Sequence, residues 1–121
     1  MRAFIIATNI AKKNNEINSI NANEFNSLYK ANPNKILLID VRENEEFSTS
    51  AIDGSISIPL SHLNQESDLK YIQKESLNKE VFTICKSGKR SEKASRILSK
   101  FKIQSRSIEG GIEKIKKILC N

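Results

Sequence analysis

Residues 81–98, VFTICKSGKRSEKASRIL, join three different patterns in one continuous stretch. An apolar run ends at Cys85, a turn with Gly88 and three cations follows, and a helical pattern comes after the turn. A purely structural cysteine is expected inside an apolar run or on the buried face of a helix, because a free cysteine behaves as a small hydrophobe. Cys85 stands on the turn instead. The stretch therefore predicts a strand, a loop that carries a thiol, and a helix.

Strands and helices alternate on both sides of this stretch. KILLIDV at 35–41 is a continuous apolar run, which is typical of a strand buried on both faces of a parallel sheet. Further strands are predicted in 17–20, 55–58, 80–85 and 104–109. Helices are predicted in 22–32, 43–50 and 65–73. Two more helices are predicted, one after the turn that follows Cys85 and one after Gly110-Gly111. This alternation predicts the α/β class, with an open parallel β-sheet flanked by helices on both faces.

Three of the predicted helices carry an apolar stripe at helical spacing, which predicts the face that each one buries. The stripes consist of Phe25, Leu28 and Tyr29; of Ala94, Ile97, Leu98 and Phe101; and of Ile112, Ile115, Ile118 and Leu119.

Length and composition predict one globular domain. The chain has 121 residues, of which 38% are hydrophobic and 28% charged, as in an ordinary folded protein. Residues 1–16 end in a polar Lys/Asn cluster, so we interpret them as a linker or N-terminal arm and place the domain at 17–121. The apolar stretch AFIIA is far shorter than the about 20 residues that a membrane span needs, so we expect no membrane partner.

Charge and cysteine content narrow the function classes. The formal charge of +6 comes from cations spread along the chain without interleaved aromatic residues, so it favours small anions or an acidic protein partner over nucleic acid. The two cysteines form no disulfide framework and no metal-ligand spacing, so we expect a reducing compartment, no metal and no cofactor. The many Ile, Lys and Asn residues are typical of an AT-rich genome, which suggests the cytoplasm, or the plastid stroma if the chain is organelle-encoded.

The loop that begins at Cys85 has the features of an anion cradle. Ligands bind outside the carboxyl ends of parallel strands, and Cys85 and the Asp40-Val41-Arg42 segment both follow a strand. If the loop turns directly into a helix, its backbone N–H groups converge on the sulfur, and Gly88 permits the positive φ that such a turn needs. Cations and a helix N-terminus favour the thiolate. The alternative is a buried free cysteine before an ordinary solvated basic turn.

Three blocks of the sequence are similar to the rhodanese-like domain: LLIDVRENEEFSTSAIDGSISIPLSHL (37–63), VFTICKSGKRSEKASRIL (81–98) and SIEGGIEKI (107–115). The similarity runs in order from about Ile17 to Leu119. It most resembles the C-terminal rhodanese-like domains of the adenylyltransferases that activate ubiquitin-like sulfur carriers for molybdopterin or thiamine synthesis. Residues 1–16 would then be the linker from a covalently fused adenylyltransferase domain upstream.

The resemblance implies a sulfurtransferase with Cys85 as its catalytic residue. Such a cysteine takes sulfane sulfur from an anionic donor, thiosulfate or a protein persulfide, and holds it as a persulfide. It then passes the sulfur to an activated sulfur-carrier protein or to a small thiophilic acceptor. The same resemblance gives a substrate-binding role to the other loop residues, which are Lys86, Ser87, Gly88, Lys89, Arg90 and Ser91.

The sequence departs from the family pattern at two positions. Ala51 stands where the family commonly has His, and Ile115 stands where a Trp is common. We expect these differences to change packing and not activity. Asp40 and Arg42 are supporting candidates, as a structural ion pair or loop anchor more than as direct catalysts.

Two other candidate residues are weaker. His62 is the only histidine and lies in a polar loop without a partner motif, so we expect it to be exposed and not part of a Cys/His protease site. Cys120 could resolve a Cys85 persulfide as a disulfide, or could simply be a frayed terminal residue.

Two other function classes stay open beside the sulfurtransferase. Cysteine-dependent phosphatases and arsenate reductases share the fold, but they need Cys-x₅-Arg with an arginine that grips a tetrahedral oxyanion. Arg90 gives Cys-x₄-Arg here, and Ser91 occupies the next position, so the spacing favours sulfur over phosphate. A catalytically silent binding module is the third class, and it arises in such domains when the cysteine is lost. Cys85 is present.

Overall fold

The structure is a computed structural model that describes residues 18–120, apart from the side chain of Cys120. The described strands are β1 (Ser19–Ile20), β2 (Ile36–Asp40), β3 (Ile56–Ser57), β4 (Glu80–Ile84) and β5 (Ser105–Ile108). The described α-helices are α1 (Ala22–Ala31), α2 (Asn44–Thr49), α3 (Glu66–Glu75), α4 (Lys89–Lys100) and α5 (Gly111–Cys120). The predicted arm at 1–16 and the predicted domain start at 17 lie outside the described residues, so that boundary stays a prediction.

All five described strands form one parallel sheet in the order β1-β5-β4-β2-β3. The central strands β2 and β4 pair from Ile36 opposite Glu80 to Asp40 opposite Ile84, so both end at the same edge. The N–H of Val41 donates to the carbonyl oxygen of Ile84 at 2.9 Å, which continues the pairing beyond the strands. The residues that follow β2 and β4 therefore lie side by side, as the sequence predicts.

Alternate residues of β2 enter two separate cores. Leu37 and Ile39 belong to a cluster on one face that includes Leu69 and Ile72 of α3 and Leu98 of α4. On the other face, Ile36 and Leu38 join residues of the flanking helices and strands, including Phe25 of α1, Phe82 of β4 and Ile115 of α5. Burying each such side chain contributes about 1.5–3 kcal/mol. Helices thus cover both faces of the parallel sheet, and the predicted fold class is confirmed.

The structure corrects the predicted stripe of α4 at its last position. Phe101 lies just past the end of the helix and is 38% exposed. Lys102 takes a left-handed φ of 63°, with its N–H on Ser99 O, and the N–H of Ile103 bonds to Leu98 O. These two bonds form a Schellman motif, which turns the chain back toward the core. Ile103 consequently fills the position that the spacing assigned to Phe101, and it is 2% exposed.

Two residues at the edges of the other stripes are also exposed, Leu28 in α1 and Leu119 in α5. Phe25 and Tyr29 of the predicted α1 stripe do pack together, because the Tyr29 ring stacks on Phe25 with the centroids 5.2 Å apart. Ile115 stands at the position where the similar family commonly has Trp. It is buried in the same core as Phe25 and Phe82. The helices therefore bury narrower faces than the sequence spacing predicts.

Candidate functional site

Cys85 directly follows β4, and two backbone amides point at its sulfur. The N–H of Gly88 donates to Cys85 Sγ at 3.1 Å, and the N–H of Ser91 donates to the same atom at 3.3 Å. Ser91 lies in the first turn of α4, so the helix N-terminus adds partial positive charge beside the sulfur. Converging amides of this kind stabilise negative charge on the atom they face. Cys85 itself is only 1% exposed, so its sulfur lies at the bottom of the loop.

Gly88 is the residue that lets the loop turn into the helix. It is the N-cap of α4, and its φ of 116° belongs to a backbone region that residues with a Cβ rarely adopt. The positive φ predicted at this position is present. Of the loop residues nominated from the sequence, Gly88 and Ser91 therefore contact the sulfur through their backbone, while the side chains of Lys86, Ser87 and Lys89 are exposed.

The guanidinium of Arg90 pairs with a residue that the sequence analysis did not nominate. Its Nη1 and Nη2 atoms donate to the two carboxylate oxygens of Glu46 in α2, at 2.8 and 3.1 Å. This hydrogen-bonded pairing holds the pKa of Glu46 at about 2, below its usual 4.5. The pKa of Arg90 is raised, mainly by the same hydrogen bonds, and the charge of nearby Cys85 adds to the effect. Arg90 is thus fixed above the loop by Glu46.

Asp40 and Arg42 form a buried ion pair at the same edge of the sheet. Arg42 Nη2 lies 2.8 Å from Asp40 Oδ2, and its Nε and backbone N–H also donate to the Asp40 carboxylate. The same Nη2 donates to the carbonyl oxygen of Ser50, which caps α2. Both side chains are at least nine-tenths buried. The contacts anchor the loop after β2. A supporting role of the pair in the reaction stays a prediction.

The start of α5 forms a backbone floor under the cysteine loop, which the sequence analysis missed. The N–H of Ile112 donates to Cys85 O at 2.8 Å, and the N–H of Glu113 donates to Lys86 O at 3.2 Å. A Cβ on Gly111 would lie 2.6 Å from Lys86 O and closer still to Cys85 O. Only a glycine allows this approach. The available signal in the sequence is the Gly-Gly pair before the last helix, which by itself indicates the start of a helix and not a contact with the loop.

The two weaker candidates lie apart from the loop or outside the described atoms. His62 is exposed at the end of a short 3₁₀ helix, Leu60–His62, as predicted. The side chain of Cys120 is outside the described part of the chain, so neither interpretation of it is tested. Within residues 18–120, no helix has the length and apolar character to cross a membrane.

Comparison with known proteins gives a consistent result. The family model for the rhodanese-like domain matches residues 21–118. The chain is 35% identical over 78 residues to the adenylyltransferase and sulfurtransferase UBA4 of Yarrowia lipolytica, over 64% of this chain and 19% of that protein. A rhodanese-related protein of Thermoplasma volcanium superposes with a TM-score of 0.67 at 31% identity, over 83% of this chain and 91% of that one.

The human single-domain sulfurtransferase TSTD1 shows the same fold, with a TM-score of 0.67 at 23% identity over 84% of this chain and 97% of that chain. The chain spans between 19% and 51% of the length of the curated relatives that it matches.

Proposed function

The chain belongs to the rhodanese-like domain family, and we propose on that basis that it is a sulfurtransferase that carries sulfane sulfur as a persulfide on Cys85. The observation that carries the proposal is the pair of backbone N–H groups, from Gly88 and Ser91, that converge on Cys85 Sγ. A thiolate and a persulfide are both anions at this atom. The same two dipoles therefore stabilise the nucleophile that begins the reaction and the intermediate that follows.

The transfer runs in two displacement steps. In the first, Cys85 thiolate attacks the outer sulfur of thiosulfate, a new S–S bond forms, and sulfite leaves with the electron pair of the old S–S bond. In the second, a nucleophilic acceptor attacks the outer sulfur of the persulfide, and the thiolate leaves as the S–S bond breaks. With cyanide as acceptor the product is thiocyanate. Every electron pair is accounted for, so the cycle requires no cofactor and no external oxidant.

The proposed partners follow from charge and from the similarity to UBA4. The exposed Lys86 and Lys89 side chains suit an anionic donor, either thiosulfate or a protein persulfide. For the acceptor we propose a ubiquitin-like sulfur-carrier protein of cofactor biosynthesis, such as that of molybdopterin, activated by an adenylyltransferase fused upstream or separate. With this acceptor the outer persulfide sulfur is the nucleophile: it attacks the activated carbonyl carbon and adenylate leaves. A thiol reductant then cleaves the resulting acyl disulfide, which frees the thiocarboxylate and Cys85. A reducing compartment such as the cytoplasm suits the reaction, because there cysteine thiols are not lost to disulfides.

Phosphatase or arsenate reductase chemistry is the alternative on this fold, and two features weigh against it. The Cys-x₄-Arg spacing makes the loop shorter than an oxyanion-binding loop needs. The guanidinium of Arg90 is also engaged bidentately by Glu46, so it is not presented to a tetrahedral oxyanion. A silent binding module fits less well, because Cys85 is present with two amides on its sulfur.

The test compares two reactions in one preparation. We expect thiocyanate formation from thiosulfate and cyanide, and no turnover of an aryl phosphate. Cys85→Ser should abolish the transfer, whereas Cys120→Ser, the matched control at the other cysteine, should leave it unchanged. Aryl phosphate turnover that depends on Cys85, without any sulfur transfer, would reverse the assignment.

A further inference from the structure

A buried pair of serine hydroxyls lies beneath the cysteine loop. Ser107 of β5 and Ser91 of α4 place their Oγ atoms 2.7 Å apart, and the two residues are 3% and 0% exposed. Ser91 Oγ also lies 3.5 Å from Cys85 Sγ and donates to Gly88 O at 3.1 Å. Ser91 thus connects the sulfur to a strand that contributes no residue to the loop itself.

Counting protons assigns a direction to each of these hydrogen bonds. A hydroxyl donates one hydrogen bond and can accept two. Since Ser91 Oγ donates to Gly88 O, it accepts from the Cys85 thiol and from Ser107. In this arrangement every proton has an acceptor while Cys85 is neutral. The donor to Ser91 from β5 is the Ser107 hydroxyl.

The balance changes when the sulfur becomes an anion. The thiol no longer donates to Ser91, and a charged sulfur is a better acceptor than a neutral carbonyl, because hydrogen bonds to ionised groups are about twice as strong as neutral ones. Ser91 can then rotate its proton from Gly88 O to the sulfur. The Ser107 hydroxyl continues to donate to Ser91 Oγ, which polarises the Ser91 O–H bond toward the sulfur.

We propose that Ser107 is a positioning residue, which holds and polarises the Ser91 hydroxyl so that it donates to anionic sulfur on Cys85. In the thiolate form, the Ser91 hydroxyl donates to Cys85 Sγ itself. The importance of this hydrogen bond for sulfur transfer rests on the proposed function. The sequence analysis does not nominate Ser107, because this residue belongs to β5 and is 16 positions after Ser91 in the chain. The hydroxyl pair is its connection to the loop.

A second hydroxyl chain nearby supplies a matched control. Ser105, two residues earlier on β5, donates to Ser95 Oγ at 2.9 Å, and Thr83 links Ser95 to the backbone carbonyl of Ser91. This chain ends on a carbonyl oxygen and delivers no proton to the Ser91 hydroxyl. Ser105→Ala and Ser107→Ala each delete one buried hydroxyl from the same strand, so they differ in their connection to Ser91 Oγ.

The experiment measures iodoacetamide alkylation of Cys85 in a Cys120→Ser background, so that only one thiol reacts, on the rising part of the rate-against-pH profile, where thiol and thiolate coexist. Because the thiolate is the reacting form, losing a hydrogen bond to it should slow alkylation. We expect Ser107→Ala to slow it by about threefold to tenfold, the range expected for one hydrogen bond. Ser105→Ala should leave the rate unchanged, and Ser107→Thr, which keeps a hydroxyl, should restore most of it.

A double-mutant cycle separates positioning from packing. Ser91→Ala together with Ser107→Ala should be no slower than Ser91→Ala alone, because Ser107 acts through Ser91. Additive losses, an effect of Ser107→Ala equal to that of Ser105→Ala, or faster alkylation caused by a loosened loop would each overturn the proposal. Alkylation needs no sulfur donor, so it is independent of the proposed function. Where transfer is measured, Ser107→Ala should lower kcat at unchanged KM.

Discussion

Arg90 and Glu46 stand 44 residues apart in the chain and pair through two hydrogen bonds at the mouth of the cysteine loop. The pair joins α4, which follows Cys85, to α2, which follows the Asp40–Arg42 ion pair. Both side chains are about one-third exposed, so the contribution to stability is modest. The pair therefore fixes the direction of the Arg90 guanidinium toward Glu46.

Acid should remove the contribution of this ion pair. The pKa of Glu46 is lowered to about 2, so its stabilising effect is fully present above pH 4.5 and is lost as the pH falls toward 2. We expect Glu46→Gln to lower the free energy of unfolding by about 0.5–1 kcal/mol at neutral pH, and by progressively less in acid.

Urea unfolding at several pH values measures this difference. Glu45→Gln, in the same helix turn, is the matched control and should show a smaller difference from the wild type at neutral pH. A loss from Glu46→Gln that persists unchanged below pH 2 would contradict the assignment of the effect to the charge.

Gly111→Ala should disturb the loop more than Gly110→Ala. Both glycines have positive φ, so an alanine at either position strains the backbone. The added Cβ at 111 would also press on the carbonyl oxygens of Cys85 and Lys86, whereas at 110 it would meet the Lys114 side chain. We expect Gly111→Ala to cost about 2–4 kcal/mol of stability and most of the alkylation rate of Cys85. Equal effects of the two variants on that rate would rule out the backbone floor.

Side chains and backbone of the loop should affect different kinetic parameters. Lys86→Ala and Lys89→Ala leave the amides on Cys85 Sγ in place, so each should raise the KM for thiosulfate by about twofold to fivefold at low salt, with kcat almost unchanged. Added salt should reduce that effect by screening the charges. Cys85→Ala should abolish transfer. Steady-state kinetics at low and high salt distinguish the role of the side chains from that of the backbone. Lysine variants that lose kcat by orders of magnitude would assign persulfide binding to the side chains.

Replacing Lys102 by glycine should stabilise the fold. Lys102 has a φ of 63° at the end of α4, where the left-handed conformation costs a side chain about 1 kcal/mol and glycine very little. We expect Lys102→Gly to raise the free energy of unfolding by about 0.5–1 kcal/mol. Lys100→Gly removes the same charge from the last residue of the helix and should lower it, because glycine is a poor helix former. Thermal unfolding of both variants gives the comparison.

The order of elements and the position of Cys85 could be predicted because they depend on local patterns. Continuous apolar runs mark the parallel strands, and a glycine after a cysteine marks the turn into α4. Two features could not be predicted from the sequence, because each depends on how distant segments pack. They are the pairing of Arg90 with Glu46 and the close approach of Gly111 to the carbonyl of Lys86. Phe101 was misplaced for a related reason, because helical spacing does not tell where the helix ends and Ile103 enters the core.

The floor that α5 provides for the loop has a consequence for how the protein is synthesised. Cys85 emerges from the ribosome well before Gly111, Ile112 and Glu113, whose backbone completes the surroundings of the loop. Until that helix docks, the carbonyl groups of Cys85 and Lys86 lack these two amide partners, so the backbone of the loop is not held from below. The surroundings of Cys85 are therefore complete only in a chain that extends through the start of α5.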